Sequence, residues 1–71
     1  MIRINQLRFD DIQREKGISN KELAERSATN PKTISNIRQK GICRYMTALR
    51  IARALGVDVK EIQVKDESEE D

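Results

Sequence analysis

The stretch that decides the fold is LAERSATNPKTISNI, residues 23–37, in which apolar side chains recur at helical spacing on both sides of a proline. Pro31 has no N–H, its ring clashes with the carbonyl four residues back, and it pushes Asn30 out of helical geometry. One continuous helix is therefore disfavoured. Asn30 is a good N-cap and proline suits the first helical position, so a new helix is predicted to begin at Pro31.

Start and stop signals of the same kind mark the other helices. Ser19 with Glu22, and Asp58 with Glu61, each form a capping box in which two orphan N–H groups are satisfied reciprocally. Glycines that can take the left-handed conformation follow two of the apolar runs. The sequence predicts five helices, over residues 6–16, 20–27, 31–38, 45–55 and 59–62. Their apolar faces are expected to bury Phe9, Ile12, Ile34, Ile37, Met46, Leu49, Ile51, Ala52 and Leu55, with Leu7 on or near the same face as Phe9.

Both ends of the chain alternate apolar and polar residues instead. Ile2 and Ile4 do so at the N-terminus, and Ile62 and Val64 near the C-terminus, which is the spacing of a strand. We expect the termini to form a short two-stranded ribbon, paired with each other or across a subunit boundary. The predicted fold class is all-α, a small five-helix domain over residues 1–65, followed by an acidic disordered tail over residues 66–71.

Size and composition limit the class of protein. The chain has 71 residues, one cysteine and no histidine, and it shows no signal-peptide run, no apolar stretch of roughly 20 residues and no metal-ligand cluster. Asp10 and Asp11 are adjacent and diverge on a helix, and no imidazole is present to act as a base. We expect a cytoplasmic protein that is not an enzyme, with no membrane contact, metal, cofactor or small-molecule ligand. Cys43 is expected to be a small, buried or half-buried apolar residue.

The charge distribution points to a polyanionic partner. Five acidic residues lie in the tail, so residues 1–65 carry 14 basic side chains against 7 acidic ones, a net charge of +7. From Arg26 to Val57 there is no Asp or Glu, while seven Lys and Arg residues fall there. Mixed signs are the norm on neutral surfaces. This segment is therefore predicted to face nucleic acid or an acidic protein, the alternative being an ordinary solvated face.

The second and third predicted helices have the geometry of a DNA-binding pair. Only residues 28–30 join them, so they must cross steeply, at about 90–120°. With Ile34 and Ile37 turned inward, the outer face of the third helix is small, amide-bearing and cationic, which suits the major groove. The expected base contacts are Pro31, Lys32, Ser35 and Asn36. The expected contacts to the DNA backbone are Asn20, Asn30, Thr33, Arg38, Gln39, Lys40 and Arg44. For each of these side chains the alternative is simple solvation.

The run GISNKELAERSATNPKTISNI, residues 17–37, continued by ALRIARALGVDVKEI, residues 48–62, resembles the phage Cro and repressor (Xre-type) helix-turn-helix family. The resemblance covers about residues 6–62. It rests on Leu23 with Ala24, the turn over residues 28–30, and the spaced Ile34 and Ile37. It implies a lambda-repressor-like fold and binding to double-stranded DNA.

Three positions depart from the pattern of that family. Ala28 stands where glycine is common, so a positive φ there would carry a strain of about 1 kcal/mol or more. Asn20 replaces a glutamine that often contacts phosphate. Arg38 replaces a frequent glutamate and adds a cation.

The residues and the resemblance together predict a sequence-specific transcriptional regulator of a phage or bacterium. The specific prediction is a Cro-like repressor that occludes a promoter by placing helix 31–38 in the major groove. A homodimer would set two such helices about 34 Å apart on a palindromic operator. Two alternatives are the antitoxin of a toxin–antitoxin pair and a protein-interaction module that uses the basic face.

Overall fold

Five helices and two short strands make up residues 1–64, the part of the chain that the computed structural model describes. In chain order they are β1 (Ile2–Arg3), α1 (Gln6–Lys16), α2 (Asn20–Arg26), α3 (Pro31–Lys40), β2 (Ile42–Cys43), α4 (Tyr45–Leu55) and α5 (Val59–Ile62). The predicted all-α class with a small ribbon is confirmed. The predicted tail, residues 66–71, lies outside the described residues.

The predicted caps fix where most of the helices begin. The side chain of Ser19 accepts a hydrogen bond from the N–H of Glu22 at 3.1 Å, and Asn30 accepts one from the N–H of Thr33 at 2.9 Å. Asp58 accepts from the N–H of Lys60 at 2.9 Å, one residue earlier than the capping-box pattern predicts. Pro31 begins α3, as predicted, because its missing N–H is one that a first helical turn leaves unused.

Two helix ends differ from the prediction. α2 ends one residue earlier, at Arg26, and α3 continues two residues further, to Lys40. The extension of α3 has a local cause, because Gly41 adopts the left-handed conformation (φ 70°) and its N–H bonds the carbonyl of Ile37 at 2.8 Å. Gln39 and Lys40 are therefore helical residues of the last turn.

The core lies between α1, α2, α3 and α4 and is closed by α5. Its largest fully buried side chains are Phe9, Ile12, Leu23, Ile34, Ile51, Leu55 and Ile62. The placement of Leu7 beside Phe9 is wrong, since 81% of Leu7 is exposed and it lies about 200° around α1 from Phe9. The prediction of a buried Met46 is also wrong, since 62% of this residue is exposed, and Leu49 only packs partly against the core. Ala48 is buried instead. The inward face of α4 follows 48, 51, 52 and 55, and Met46 lies about 200° around the helix from Ala48.

The ribbon forms with a different second strand from the one predicted. β1 pairs antiparallel with β2, with Ile2 opposite Cys43 and Arg3 opposite Ile42. The C-terminal segment lies on the other side of β1, where Ile4 makes a single bridge to Gln63 and the N–H of Val64 donates to the carbonyl of Arg3 at 3.0 Å. The termini therefore meet, as expected, but the second strand comes from the α3–α4 connection.

Two further sequence expectations concern Cys43 and the bilayer. Cys43 is buried, as predicted; its burial raises the pKa of the thiol, and the nearby N-terminal ammonium offsets part of that rise. Among residues 1–64, none of the helices has the length and apolar character that crossing a membrane requires.

Candidate nucleic-acid interface

The turn between α2 and α3 is closed by hydrogen bonds on its inner side. The buried Ser27 hydroxyl donates to the carbonyl of Leu23 at 2.6 Å and lies 2.9 Å from the hydroxyl of Thr29. The N–H of Thr29 donates to the carbonyl of Ala24 at 2.9 Å. Between them Ala28 takes φ 58°, the left-handed conformation in which an alanine is strained. The turn thus ends α2 and lets α3 begin within a few residues, and the steep crossing of the two helices stays a prediction.

Burial on one side of α3 determines which side chains it presents. Ile34 and Ile37 are buried, together with Leu23 and Ala24 of α2. Because these two isoleucines face inward, Lys32 and Asn36 lie exposed on the opposite face, four residues and about one turn apart. Within residues 1–64 neither side chain takes part in a hydrogen bond or ion pair. Pro31 is exposed beside them and Ser35 is half-buried.

The side chain of Asn30 is hydrogen-bonded to Thr33 at the start of α3. Besides capping the helix, the amide oxygen of Asn30 accepts a hydrogen bond from the hydroxyl of Thr33 at 3.2 Å. Pro31 has no N–H, and the N–H groups of Thr33 and Ile34 are bonded to Asn30, so within residues 1–64 the N–H of Lys32 and the amide NH2 of Asn30 are the donors left at this helix start. This end of α3 therefore presents donors, as a DNA phosphate requires.

Arg38 makes contacts that the sequence analysis missed. Its guanidinium donates to the side-chain oxygen of Gln13 at 2.6 Å and forms an ion pair with Asp10. Gln13, only 5% exposed, in turn donates to the side-chain oxygen of Asn20 at 2.7 Å. We call Asp10, Gln13, Asn20 and Arg38 the Arg38 network. It joins α1, α2 and α3, and it holds the Arg38 guanidinium against α1.

A second contact from α1 fixes the end of α3. The side-chain amide of Gln6 donates to the backbone carbonyl of Arg38 at 2.8 Å. A Cβ on Gly41 would lie 2.9 Å from Cδ of Gln6, so a side chain there would displace the Gln6 side chain, and the φ of 70° itself favours glycine. α1 is therefore hydrogen-bonded to the last turn of α3 at both the side chain and the backbone of Arg38.

A match to a protein-family model shows which family the chain belongs to. A family model for the Cro/C1-type helix-turn-helix DNA-binding domain matches residues 8–64, a range that runs from the first turn of α1 past the end of α5. The chain belongs to this family. No curated protein and no solved structure gives a significant match to the chain. The resemblance seen in the sequence is thereby confirmed, and the chain is a DNA-binding protein of transcription regulation.

The other cations of the segment from Arg26 to Val57 are distributed over two regions. Lys40, which ends α3, and Arg44 are exposed and flank β2, with the exposed Gln39 beside Lys40. Arg50 and Arg53 of α4 line a shallow cleft together with Arg26, next to the α2–α3 turn. Arg26 is paired with Glu22 at 2.6 Å. Lys32, Lys40 and Arg44 are thus the exposed cations nearest the outer face of α3 in the chain.

Sequence reasoning missed Asp10 and Gln13 because it treated α1 as a purely apolar support. A signal was present, since Gln13 follows Phe9 by four residues and Ile12 by one, so it falls on the inward side of α1. A polar side chain at such a position needs a partner. Nothing local identifies Arg38, 25 residues later, as that partner.

Proposed function

We propose that this Cro/C1-type domain is a repressor that occludes a promoter by binding a specific DNA operator through α3 in the major groove. The observation that carries the proposal is the exposed pair of Lys32 and Asn36, set on one face of a helix whose opposite face is anchored by Ile34 and Ile37. An α-helix presented in this way has the width of the major groove, where every base pair shows a distinct donor and acceptor pattern.

The base contacts follow from the chemistry of the exposed face. The ammonium of Lys32 donates to O6 and N7 of a guanine, and the amide of Asn36 pairs with N6 and N7 of an adenine. The half-buried Ser35 lies between them and bonds either base. Pro31 offers an apolar contact to a thymine methyl group. These four residues are the proposed sequence-reading set.

The contacts to phosphates are assigned to side chains around this set. Gln39 and Lys40 lie in the last turn of α3, Arg44 follows it, and all three are exposed. Asn30 and Thr33 stand at its N-terminal end, and Asn20 at the start of α2 retains its amide NH2 for a phosphate after accepting from Gln13. Such contacts set the register of the protein without reading sequence. Arg38 is assigned a positioning role, because the Arg38 network occupies its guanidinium.

The proposed operator is palindromic and is bound by a homodimer. One α3 covers only a few base pairs, and two copies on successive turns of the major groove double the number of bases read. Occlusion of a promoter needs nothing beyond such occupancy. An antitoxin would bind DNA in the same way and differ only in having a toxin as a second partner.

Selection of full-length protein on randomised duplex DNA tests the proposal. We expect one preferred sequence, bound at least about 10³-fold more tightly than random duplex. The logarithm of its affinity should fall linearly with the logarithm of salt concentration, as counterions leave the phosphates. A protein-interaction module that uses the basic face would instead show no sequence preference among duplexes, and that result would overturn the proposal.

A further inference from the structure

The cleft beside the α2–α3 turn is lined by three arginines and three residues with short side chains. The lining residues are Arg26, Ser27, Ala28, Arg50, Arg53 and Ala54. Because half of them have short side chains, the long side chains of the other half border an open depression. Among residues 1–64, none that lines this cleft carries a carboxylate. We call it the arginine cleft.

Two of the three guanidinium groups have no anionic partner within residues 1–64. Arg26 is paired with Glu22 at 2.6 Å. Arg50 and Arg53 are exposed and take part in none of the ion pairs among these residues. The arginine cleft therefore has positive charge that no carboxylate of the described chain offsets. Arginine binds phosphate through planar, bidentate hydrogen bonds, so the chemistry of this cleft suits a phosphate group.

The fold of α4 brings its two arginines to the turn. The buried residues of α4 leave Arg50 and Arg53 on its outer side, where residues three apart are neighbours. Ala54, which is half-buried, follows Arg50 by four residues and lines the cleft with the turn residue Ala28. Arg26 and Arg50 are 24 residues apart in the chain, so the cleft exists only in the folded domain.

The arginine cleft adjoins the start of α3. Ala28 lines the cleft, and Asn30, a proposed phosphate contact, follows it by two residues, which span at most about 7 Å. The proposed phosphate contacts at this end of α3, Asn30 and Thr33, are both uncharged. The cations of the proposed set, Lys40 and Arg44, lie at and beyond the other end of the helix. A phosphate near the start of α3 thus has the arginine cleft as its nearest unassigned cationic site in the chain.

We infer that the arginine cleft binds a phosphate of the DNA backbone at the start of α3, with Arg50 and Arg53 as donors. This inference rests on the proposed function for the place of α3 in the major groove, and it adds a contact from α4. Lys32 precedes Asn36 along α3. The phosphate therefore lies beyond the base that Lys32 reads, on the side away from the base that Asn36 reads. Such a contact fixes the position of the domain without reading sequence.

Loss of the two donors should weaken binding to all duplexes alike. The double variant Arg50→Gln with Arg53→Gln should lower the slope of log affinity against log salt by about 1, because one phosphate is no longer neutralised. Its base preference at the Lys32 and Asn36 positions should stay that of the wild type. Lys60→Gln is the matched control, since Lys60 is exposed on α5, has no ion pair within residues 1–64 and does not line the cleft.

A scan with uncharged methylphosphonate linkages identifies the phosphate. Full-length protein is titrated onto the selected operator with one such linkage at each backbone position in turn. Wild type and Lys60→Gln should lose about tenfold in affinity at one linkage beyond the Lys32 base. The double variant should lose nothing further at that linkage, because its partner groups are already absent. Urea denaturation should show wild-type stability for both variants, since all three side chains are exposed.

A double variant with the same scan as the wild type, or a wild type that tolerates every linkage beyond the Lys32 base, would overturn the inference. Inorganic pyrophosphate at constant ionic strength tests the other source of phosphate. Pyrophosphate binding that needs Arg50 and Arg53, with an unchanged scan, would assign the cleft to a free phosphate compound instead. The absence of any preferred duplex would overturn the proposed function and this inference together, whereas a preferred duplex with an unchanged scan would overturn the inference alone.

Discussion

Ala28 has a left-handed backbone conformation, which is unusual for a residue other than glycine. Its φ of 58° lies in the left-handed region, where the Cβ of an L-residue approaches the following carbonyl at a cost of about 1–2 kcal/mol. The turn tolerates this because Ser27 and Thr29 bond to α2 on both sides of it. The strain is thus held in the connection that sets the angle between α2 and α3.

Replacing this alanine should stabilise the protein. Ala28→Gly removes the strain and adds the entropic cost of glycine, so we expect a net gain of about 0.5–1 kcal/mol in the free energy of unfolding, measured by urea denaturation. Ala54→Gly, in the regular helix α4, is the control and should lose about 1 kcal/mol. Equal losses in the two variants would contradict the account of the turn.

The helix starts set by single residues could be predicted because each of these residues acts on backbone groups close to it in the chain. Ser19, Asn30 and Pro31 lie within three residues of the groups that they satisfy, so the sequence contains the whole interaction. The conditional strain at Ala28 was also predictable, from the glycine usual at that position. Met46 was misplaced because the start of α4 has no side-chain cap at Arg44 to fix the phase of the helix.

At the scale of elements, α1 determines how α3 is held. Gln6 donates a hydrogen bond to a backbone carbonyl of α3, and the Arg38 network joins the Arg38 side chain of α3 to α1 by further hydrogen bonds. Both contacts act on the C-terminal half of α3, whereas Asn30 and the turn fix its start. The outer face of α3 is therefore oriented from both ends by contacts within the domain.

Salt dependence separates a positioning role for Arg38 from a phosphate contact. Arg38→Met should destabilise the fold by about 1 kcal/mol, through loss of partly exposed hydrogen bonds and an ion pair, and leave the salt slope of DNA binding unchanged. Lys40→Met is the matched control and should lower that slope by about 1 with little effect on stability. The measurements are urea denaturation and DNA titration at several salt concentrations. A fall in slope for Arg38→Met equal to that for Lys40→Met would assign Arg38 to a phosphate.

Contacts between elements were the part that the sequence did not reveal. The pairing of Arg38 with Asp10 and Gln13 spans 25 residues or more, and no periodic pattern encodes it. The partner of β1 was also missed, because a strand of two residues, Ile42–Cys43, is too short to show alternation. The termini alternate over a longer stretch and were chosen for that reason, although between them they form a single bridge, from Ile4 to Gln63, with backbone hydrogen bonds on either side of it.

In the whole molecule, a segment whose charged side chains are all positive contains the helix α3 and its exposed outer face. The segment from Arg26 to Val57 contains no acidic residue and includes all of α3 and α4. Its cations attract any polyanion, and this attraction alone gives no choice among sequences. Selectivity in this account comes from Lys32 and Asn36, which have no competing contacts within the described chain.

The most direct test of that claim is the base preference of Lys32→Ala and Asn36→Ala, measured on duplexes that differ from the selected operator at one position each. The account predicts that each variant loses about 1–3 kcal/mol on the operator and becomes indifferent to the base at one position of each half-site, while Lys40→Ala weakens all duplexes alike. If both variants retain the full base preference of the wild type, α3 does not read the operator and the account is contradicted.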